Sequence, residues 1–281
     1  MSASGLAADP TAFYVAALRA LQTAGVPFVV GGAYALSRYT GIFRDTKDLD
    51  VFVRPRHAKA ALDSLAAAGY RTELTFPHWL GKGFAGDHTI DIIFSSGNGF
   101  VQVDDGWFDY AVDDSVLGVP ARLCPPEEML WSKAFIMERE RYDGADIAHL
   151  LQAQAESLDW QRLVQRFDSH WRVLLSHLVL FGFVYPSERG RIPAWTMAYL
   201  MGRLTEEWCT AGPADRICCG TLLSRAQYLV DVESLGYRDA RLLPGGTMTA
   251  NDVAEWTAAI EAPTPTIQDP SENGDAAGRR R

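Results

Sequence analysis

Apolar residues recur three and four apart from Pro10 to Ala24, where Phe13, Ala17, Leu18 and Leu21 share one helical face and Gly25 ends the pattern. The period then changes. Phe28 to Val30 reads as a short strand, Gly31-Gly32 as a turn, and Ala33 to Thr40 as a helix stopped by Gly41. Asp48 to Val53 alternates charged and apolar residues, which predicts a half-buried strand. Pro55 opens another helix, with Ala58, Leu62 and Leu65 as its apolar stripe and Gly69 as its end. Two further strands are predicted at Tyr70–Phe76 and Thr89–Phe94, joined by a glycine-rich loop. Short strands follow between Gln102 and Leu123, among them Val116–Leu123 around Gly118.

Pro125-Pro126 marks an abrupt change, after which the period is helical to about Trp256. Helices are expected at Glu127–Arg141, Asp146–Ala155, Asp159–Phe167, His170–Phe181, Pro193–Cys209 and Thr221–Leu235. The tail from Ala262 to Arg281 is polar and rich in Pro and Gly, the composition of a disordered segment. The expected class is therefore α+β: a mixed sheet flanked by helices over residues 1–125, a helical domain over 126–261, and a disordered tail over 262–281.

Composition narrows the functional classes. A chain of 281 residues with 48% hydrophobic and 22% charged residues is ordinary for a globular protein. Its net charge of −9 argues against broad electrostatic binding of nucleic acid. No apolar run approaches the length of a membrane span, and the first ten residues carry no secretory signal, so a cytoplasmic location is expected. The cysteines, Cys124, Cys209, Cys218 and Cys219, form no CxxC pair; reduced thiols are expected and zinc is not.

Candidate chemistry centres on the second strand. Asp48 and Asp50 lie two apart and so share a face, while Leu49, Val51 and Val53 share the other. Two like charges on a half-buried strand repel and are costly to desolvate, and a divalent cation relieves both costs. The glycines upstream open a helix whose free N–H groups suit a phosphate. Asp91, in the apolar run HTIDIIF, is a third carboxylate that needs a partner: Arg71, Arg44, backbone donors or a metal. If its strand neighbours the one holding Asp48 and Asp50, the three carboxylates suffice for two magnesium ions, and Asp91 suits deprotonation of an acceptor hydroxyl.

Gly31-Gly32, fifteen intervening residues, Asp48-Leu49-Asp50 and a later Asp91 together resemble the DNA polymerase beta-like nucleotidyltransferase superfamily. The run Arg44 to Asp50 is similar to the bacterial small nucleotidyltransferases, which include antibiotic-modifying and toxin–antitoxin enzymes. The stretch PPEEMLWSKAFIMERERYDGADIAHLL, with Lys133, Arg139, Asp143 and Asp146, resembles the helix pair that follows their catalytic sheet. The resemblance covers roughly Val26 to Leu151. It implies two magnesium ions on Asp48, Asp50 and Asp91, an NTP held at Gly31-Gly32, and transfer of its NMP to an acceptor hydroxyl with release of pyrophosphate. Where many members carry a serine after the first glycine, this chain has Gly32, so no hydroxyl assists there.

Other residues are open to two readings. Arg44 and Lys47 either touch phosphate or are solvated, and Lys133 either reaches the triphosphate or lies at the surface. Asp143 reads better as a helix cap than as a ligand. Gly81–Gly86 matches GxGxxG but precedes a strand, so a Rossmann site is not expected there; a mobile loop is. Trp131, Trp160, Trp171, Trp195 and Trp208 read as core. GTLLSRAQYLVDVESLGYRDARL has the look of a family-specific helical segment without an assigned role. A small-molecule acceptor is the leading expectation. The alternatives are a non-catalytic nucleotide-binding or toxin–antitoxin regulatory module, and an enzyme that adds nucleotides to tRNA.

Overall fold

The computed structural model describes residues 10–244 and 246–260. The segment 262–281, expected to be disordered, lies outside them. In chain order the elements are α1 (Pro10–Thr23), β1 (Val29–Val30), α2 (Gly32–Thr40), β2 (Asp48–Phe52), α3 (Ala58–Ala67), β3 (Arg71–Phe76), β4 (Leu80–Ala85), β5 (His88–Ile93), the short α4 (Gly106–Asp109), β6 (Val112–Val116) and β7 (Val119–Leu123). Then come α5 (Pro126–Ala134), α6 (Gly144–Gln154), α7 (Trp160–Phe167), α8 (Trp171–Val184), α9 (Ala194–Trp208), β8 (Ile217–Cys218), α10 (Leu229–Glu233), β9 (Arg238–Asp239) and α11 (Ala250–Ala258).

Seven strands form one mixed sheet in the order β3-β4-β5-β2-β1-β7-β6. β2 runs parallel to β5 and antiparallel to β1, while β1 and β7 are parallel. Leu49 and Val51 of β2 and Ile90 and Ile92 of β5 are fully buried on the helix-covered face, where Leu18, Leu21 and Leu65 meet them. Alternation along each strand therefore turns Asp48, Asp50 and Asp91 to the opposite face. The expected mixed sheet flanked by helices is what the chain forms. One cluster of buried side chains continues from this sheet into α5, α6, α7 and α8 through Trp131, Leu150, Leu163 and Trp171. Among the described residues no helix is long and apolar enough to cross a membrane.

Several local expectations are corrected. The glycine-rich loop is strand β4, paired on one side with β3 and on the other with β5. Its glycines have a packing reason: a Cβ at Gly81 would strike Leu62 of α3, and one at Gly83 would crowd Leu65 and Ile90. Removing side chains at alternate positions lets α3 lie close to the strand. The helix begun at Pro126 ends at Ala134, short of Arg141, and the segment Thr221–Leu235 is a 3-10 turn (Cys219–Leu222), an irregular stretch and the brief α10. There Glu138 accepts hydrogen bonds from the Ser224 hydroxyl and the Arg225 N–H, drawing the backbone out of helical pairing. Trp131, Trp160 and Trp171 are core, whereas Trp195 and Trp208 are 46% and 83% exposed.

Candidate active site

β2 and β5 are in register with Asp50 beside Asp91. Because Asp48 shares the face of Asp50, the parallel pairing alone gathers three carboxylates, and one oxygen from each lies within 4.8 Å of the others. The Gly31-Gly32 turn is built against them. Gly31 N–H donates to the Asp50 carbonyl at 3.0 Å, and Gly32, at φ +54°, begins α2. A Cβ at Gly32 would overlap the Asp50 carboxylate, and one at Gly31 would overlap the Phe52 ring. Glycine is thus required at both positions by close approach, and at Gly32 also by the left-handed backbone.

The electrostatics follow from this crowding. Burial pushes the Asp50 carboxyl from 3.8 up to about 7, the charges of Asp48 and Asp91 add to the rise, and Lys133 and Arg141 oppose it. Burial also raises Asp91, against the pull of the Lys82 ammonium. Lys82 Nζ donates to both Asp91 oxygens, at 3.0 and 2.8 Å. The expected partners are engaged elsewhere, Arg71 with Glu73 and Arg44 with Asp146. Asp48 accepts a hydrogen bond from the Thr46 hydroxyl. The donor set, three carboxylates with hard oxygen atoms and a surplus of negative charge, fits magnesium.

A cavity of about 370 Å³ opens over these residues. It follows the β5 face past Asp91, Ile93 and Ser95, and Lys133 and Arg141 line another side. Lys133 Nζ donates to Asp143 at 2.7 Å and to Asp146 at 2.9 Å, leaving one of its three N–H bonds for a ligand. Asp143 occupies the N-cap position of α6 without making a capping hydrogen bond. Its carboxylate is taken by Lys133 and Arg141, whose charges outweigh burial and hold it below the usual carboxylate range. Arg44 and Lys47 stand outside the cavity lining. Arg44 is half exposed in its pair with Asp146, and Lys47 is exposed, its carbonyl accepting from Thr89 N–H.

Sequence reasoning missed six contributors. Lys82 was hidden in a segment read as loop, although its place between glycines with period two was a strand signal. Arg141, rather than Arg139, holds Asp143. Ser224, Arg225 and Trp256 close the cavity from the C-terminal segment that had no assigned role or lay beyond it. Tyr14, buried in α1 without a hydrogen-bond partner among the described residues, is pushed up to about 12 by burial, Tyr34 and the three aspartates. No local pattern marks a residue that reaches the site from so far along the chain.

The structure is similar to several solved ones. The antibiotic-resistance factor ANT(2'')-Ia is 16% identical with a TM-score of 0.43, over 61% of this chain and 98% of that one. The lincosamide antibiotic adenylyltransferase LnuA, with lincomycin bound, is 16% identical with a TM-score of 0.37, over 52% and 98%. JHP933 from Helicobacter pylori is 14% identical with a TM-score of 0.36, over 74% and 97%. No curated protein sequence matches the chain. The family described as uncharacterised nucleotidyltransferase matches residues 11–180, more than half of the chain, and that span includes the glycine turn, all three aspartates, Lys82 and Lys133. The chain belongs to the uncharacterised nucleotidyltransferase family of enzymes.

Proposed function

We propose that this protein is a magnesium-dependent nucleotidyltransferase that moves an NMP from an NTP to the hydroxyl of a small-molecule acceptor and releases pyrophosphate. The observation that carries this reading is the convergence of Asp48, Asp50 and Asp91 within 4.8 Å, against a glycine turn and inside a cavity of about 370 Å³. Magnesium held by Asp48 and Asp50, with Asp91 completing the site, would neutralise charge on the transferring phosphoryl group.

In this reading the triphosphate lies over Gly31-Gly32 and the free N–H of Lys133, with Arg44 and Lys47 flanking it from the loop before β2. Asp91 takes the proton of the acceptor hydroxyl, whose oxygen bonds to the α-phosphorus while the bond to the β-phosphate oxygen breaks. Its raised pKa suits that role, because burial makes the carboxylate more basic while the Lys82 ammonium favours its charged form. The catalytic unit is 1–125, and the helices of 126–261 with Arg225 and Trp256 shape the acceptor end. A cavity this small and partly walled by Trp79 and Trp256 favours a compact acceptor over a polymer.

The test is transfer of label from each NTP, radiolabelled at the α-phosphate, to a panel of small hydroxylated acceptors with and without magnesium. Wild type should transfer and Asp48→Asn and Asp91→Asn should fall by at least a hundredfold. Transfer by both variants at the wild-type rate would remove the aspartates from the reaction. Growth arrest on expression, with label entering tRNA, would instead identify RNA as the acceptor.

A further inference from the structure

We infer that the Lys82 ammonium takes the place of one of the two divalent cations, so that the protein works with a single magnesium between Asp48 and Asp50 while Asp91 is a lysine-paired base. This deepens the metal-dependent transfer proposed above and rests on it.

Four observations lead here. Lys82 lies directly opposite Asp91 in the antiparallel β4–β5 pair, and its nitrogen is nearly equidistant from both carboxylate oxygens, at 2.8 and 3.0 Å. That places it near the bisector of the two C–O bonds, where a cation chelated by a carboxylate sits. The lysine is also fixed. Gly81 and Gly83 seat β4 against Leu62, Leu65 and Ile90, so Lys82 faces the aspartates, with its side chain only 26% exposed. The other cations near the carboxylates are committed elsewhere: Lys133 and Arg141 hydrogen-bond Asp143, and Lys133 also bonds Asp146. Among the described residues neither Asp48 nor Asp50 has a hydrogen-bonded cation. Three carboxylates less one ammonium leave two negative charges, the complement of one divalent ion.

A second ion on Asp91 would have to enter beside this ammonium. Two-metal sites hold their ions about 3.5–4 Å apart, bridged by carboxylate oxygens. Here both Asp91 oxygens already accept from Lys82. The lysine stabilises the charged form of the Asp91 carboxylate through two hydrogen bonds and offers positive charge to the acceptor oxygen as its proton leaves. The proton passes from the acceptor hydroxyl to Asp91, the new O–P bond forms, and the pyrophosphate bond breaks with its electrons on the leaving oxygen. No further reactant is needed.

The experiment counts manganese in the full chain complexed with an NTP analogue carrying a methylene bridge between the α- and β-phosphates. Electron paramagnetic resonance reports both the bound number and the magnetic coupling that arises when two Mn²⁺ ions sit a few ångströms apart. Wild type and Lys82→Arg should each bind one uncoupled ion per chain, and Lys82→Met should bind two with a coupled spectrum. Two coupled ions in wild type, or a folded Lys82→Met that still binds one, overturns the inference. If Lys82→Met fails to fold, the wild-type count decides alone. A wild type that transfers NMP and holds two ions removes only the role of Lys82. A wild type that binds no Mn²⁺ and transfers nothing removes the metal-dependent reaction and this inference with it.

Discussion

Replacing Asp50 by asparagine should make the metal-free protein more stable, and the size of the effect follows from the site. The Asp50 carboxyl is pushed from 3.8 to about 7 because ionising it costs burial and repulsion from Asp48 and Asp91. The folded state therefore holds this proton up to about pH 7, while the unfolded chain releases it near pH 4. Stability from this group is fully present below pH 4 and falls by up to about 1.4 kcal/mol per pH unit as the pH rises toward 7, then levels off. Above pH 7 the accumulated cost is on the order of 4 kcal/mol, from roughly three units at 1.36 kcal/mol each. Asparagine nearly preserves shape and carries no charge, so Asp50→Asn avoids that cost. Urea denaturation in EDTA, at pH 4 and pH 8, should show the two proteins alike in acid and the variant well ahead at pH 8, with equal slopes. Magnesium should narrow the gap without reversing it, since an ion at a hundred times its Kd adds about 2.7 kcal/mol to wild type and nothing to a variant that does not bind it. A variant no more stable than wild type at pH 8 in EDTA would refute the reasoning, because the three carboxylates would then not be in conflict.

Gly32→Ala should remove the magnesium-induced rise in Tm and lower metal-free stability by about 1–3 kcal/mol, since the new methyl overlaps the Asp50 carboxylate at a backbone angle of φ +54°; differential scanning fluorimetry with and without magnesium checks both effects. Arg162→Met should cost about 3–5 kcal/mol in chemical denaturation, because Arg162 bridges the buried carboxylates of Glu127 and Glu128 and its loss leaves Glu127 without a cation and Glu128 with Arg166 alone. Lys133→Gln should weaken NTP binding about tenfold by calorimetry, roughly 1.4 kcal/mol, through loss of the free N–H and release of Asp143 and Asp146.

The parts read correctly from sequence are those in which one local rule dominates. Period two put Asp48 and Asp50 on the face opposite Leu49 and Val51, and the burial of those two apolar residues bears it out. Gly41 at φ +72° ends α2 where the pattern stopped. Errors arose where a long-range contact outweighed a local preference. Glycines at 81 and 83 favour a loop by propensity, but α3 packed against the strand face gives the missing side chains a purpose. Asp143 has the residue type and position of a cap, yet an ammonium and a guanidinium within reach bind a carboxylate more strongly than a backbone N–H does.

What the sequence by itself determined is the charge-bearing frame: a glycine turn, two aspartates on one strand face and a third in a strand too apolar to leave it unpartnered. Periodicity and the cost of buried charge are properties of short segments, so they can be read without a fold. Only the tertiary structure decided that β5 lies beside β2 in a register that sets Asp91 against Asp50, and that β4 brings a lysine onto the same carboxylate. Strand order and register depend on how distant segments share one core, here β2 pairing with β5 across an intervening helix and two strands. That pairing turned three separated carboxylates into one site and gave Lys82 a position no local pattern could assign.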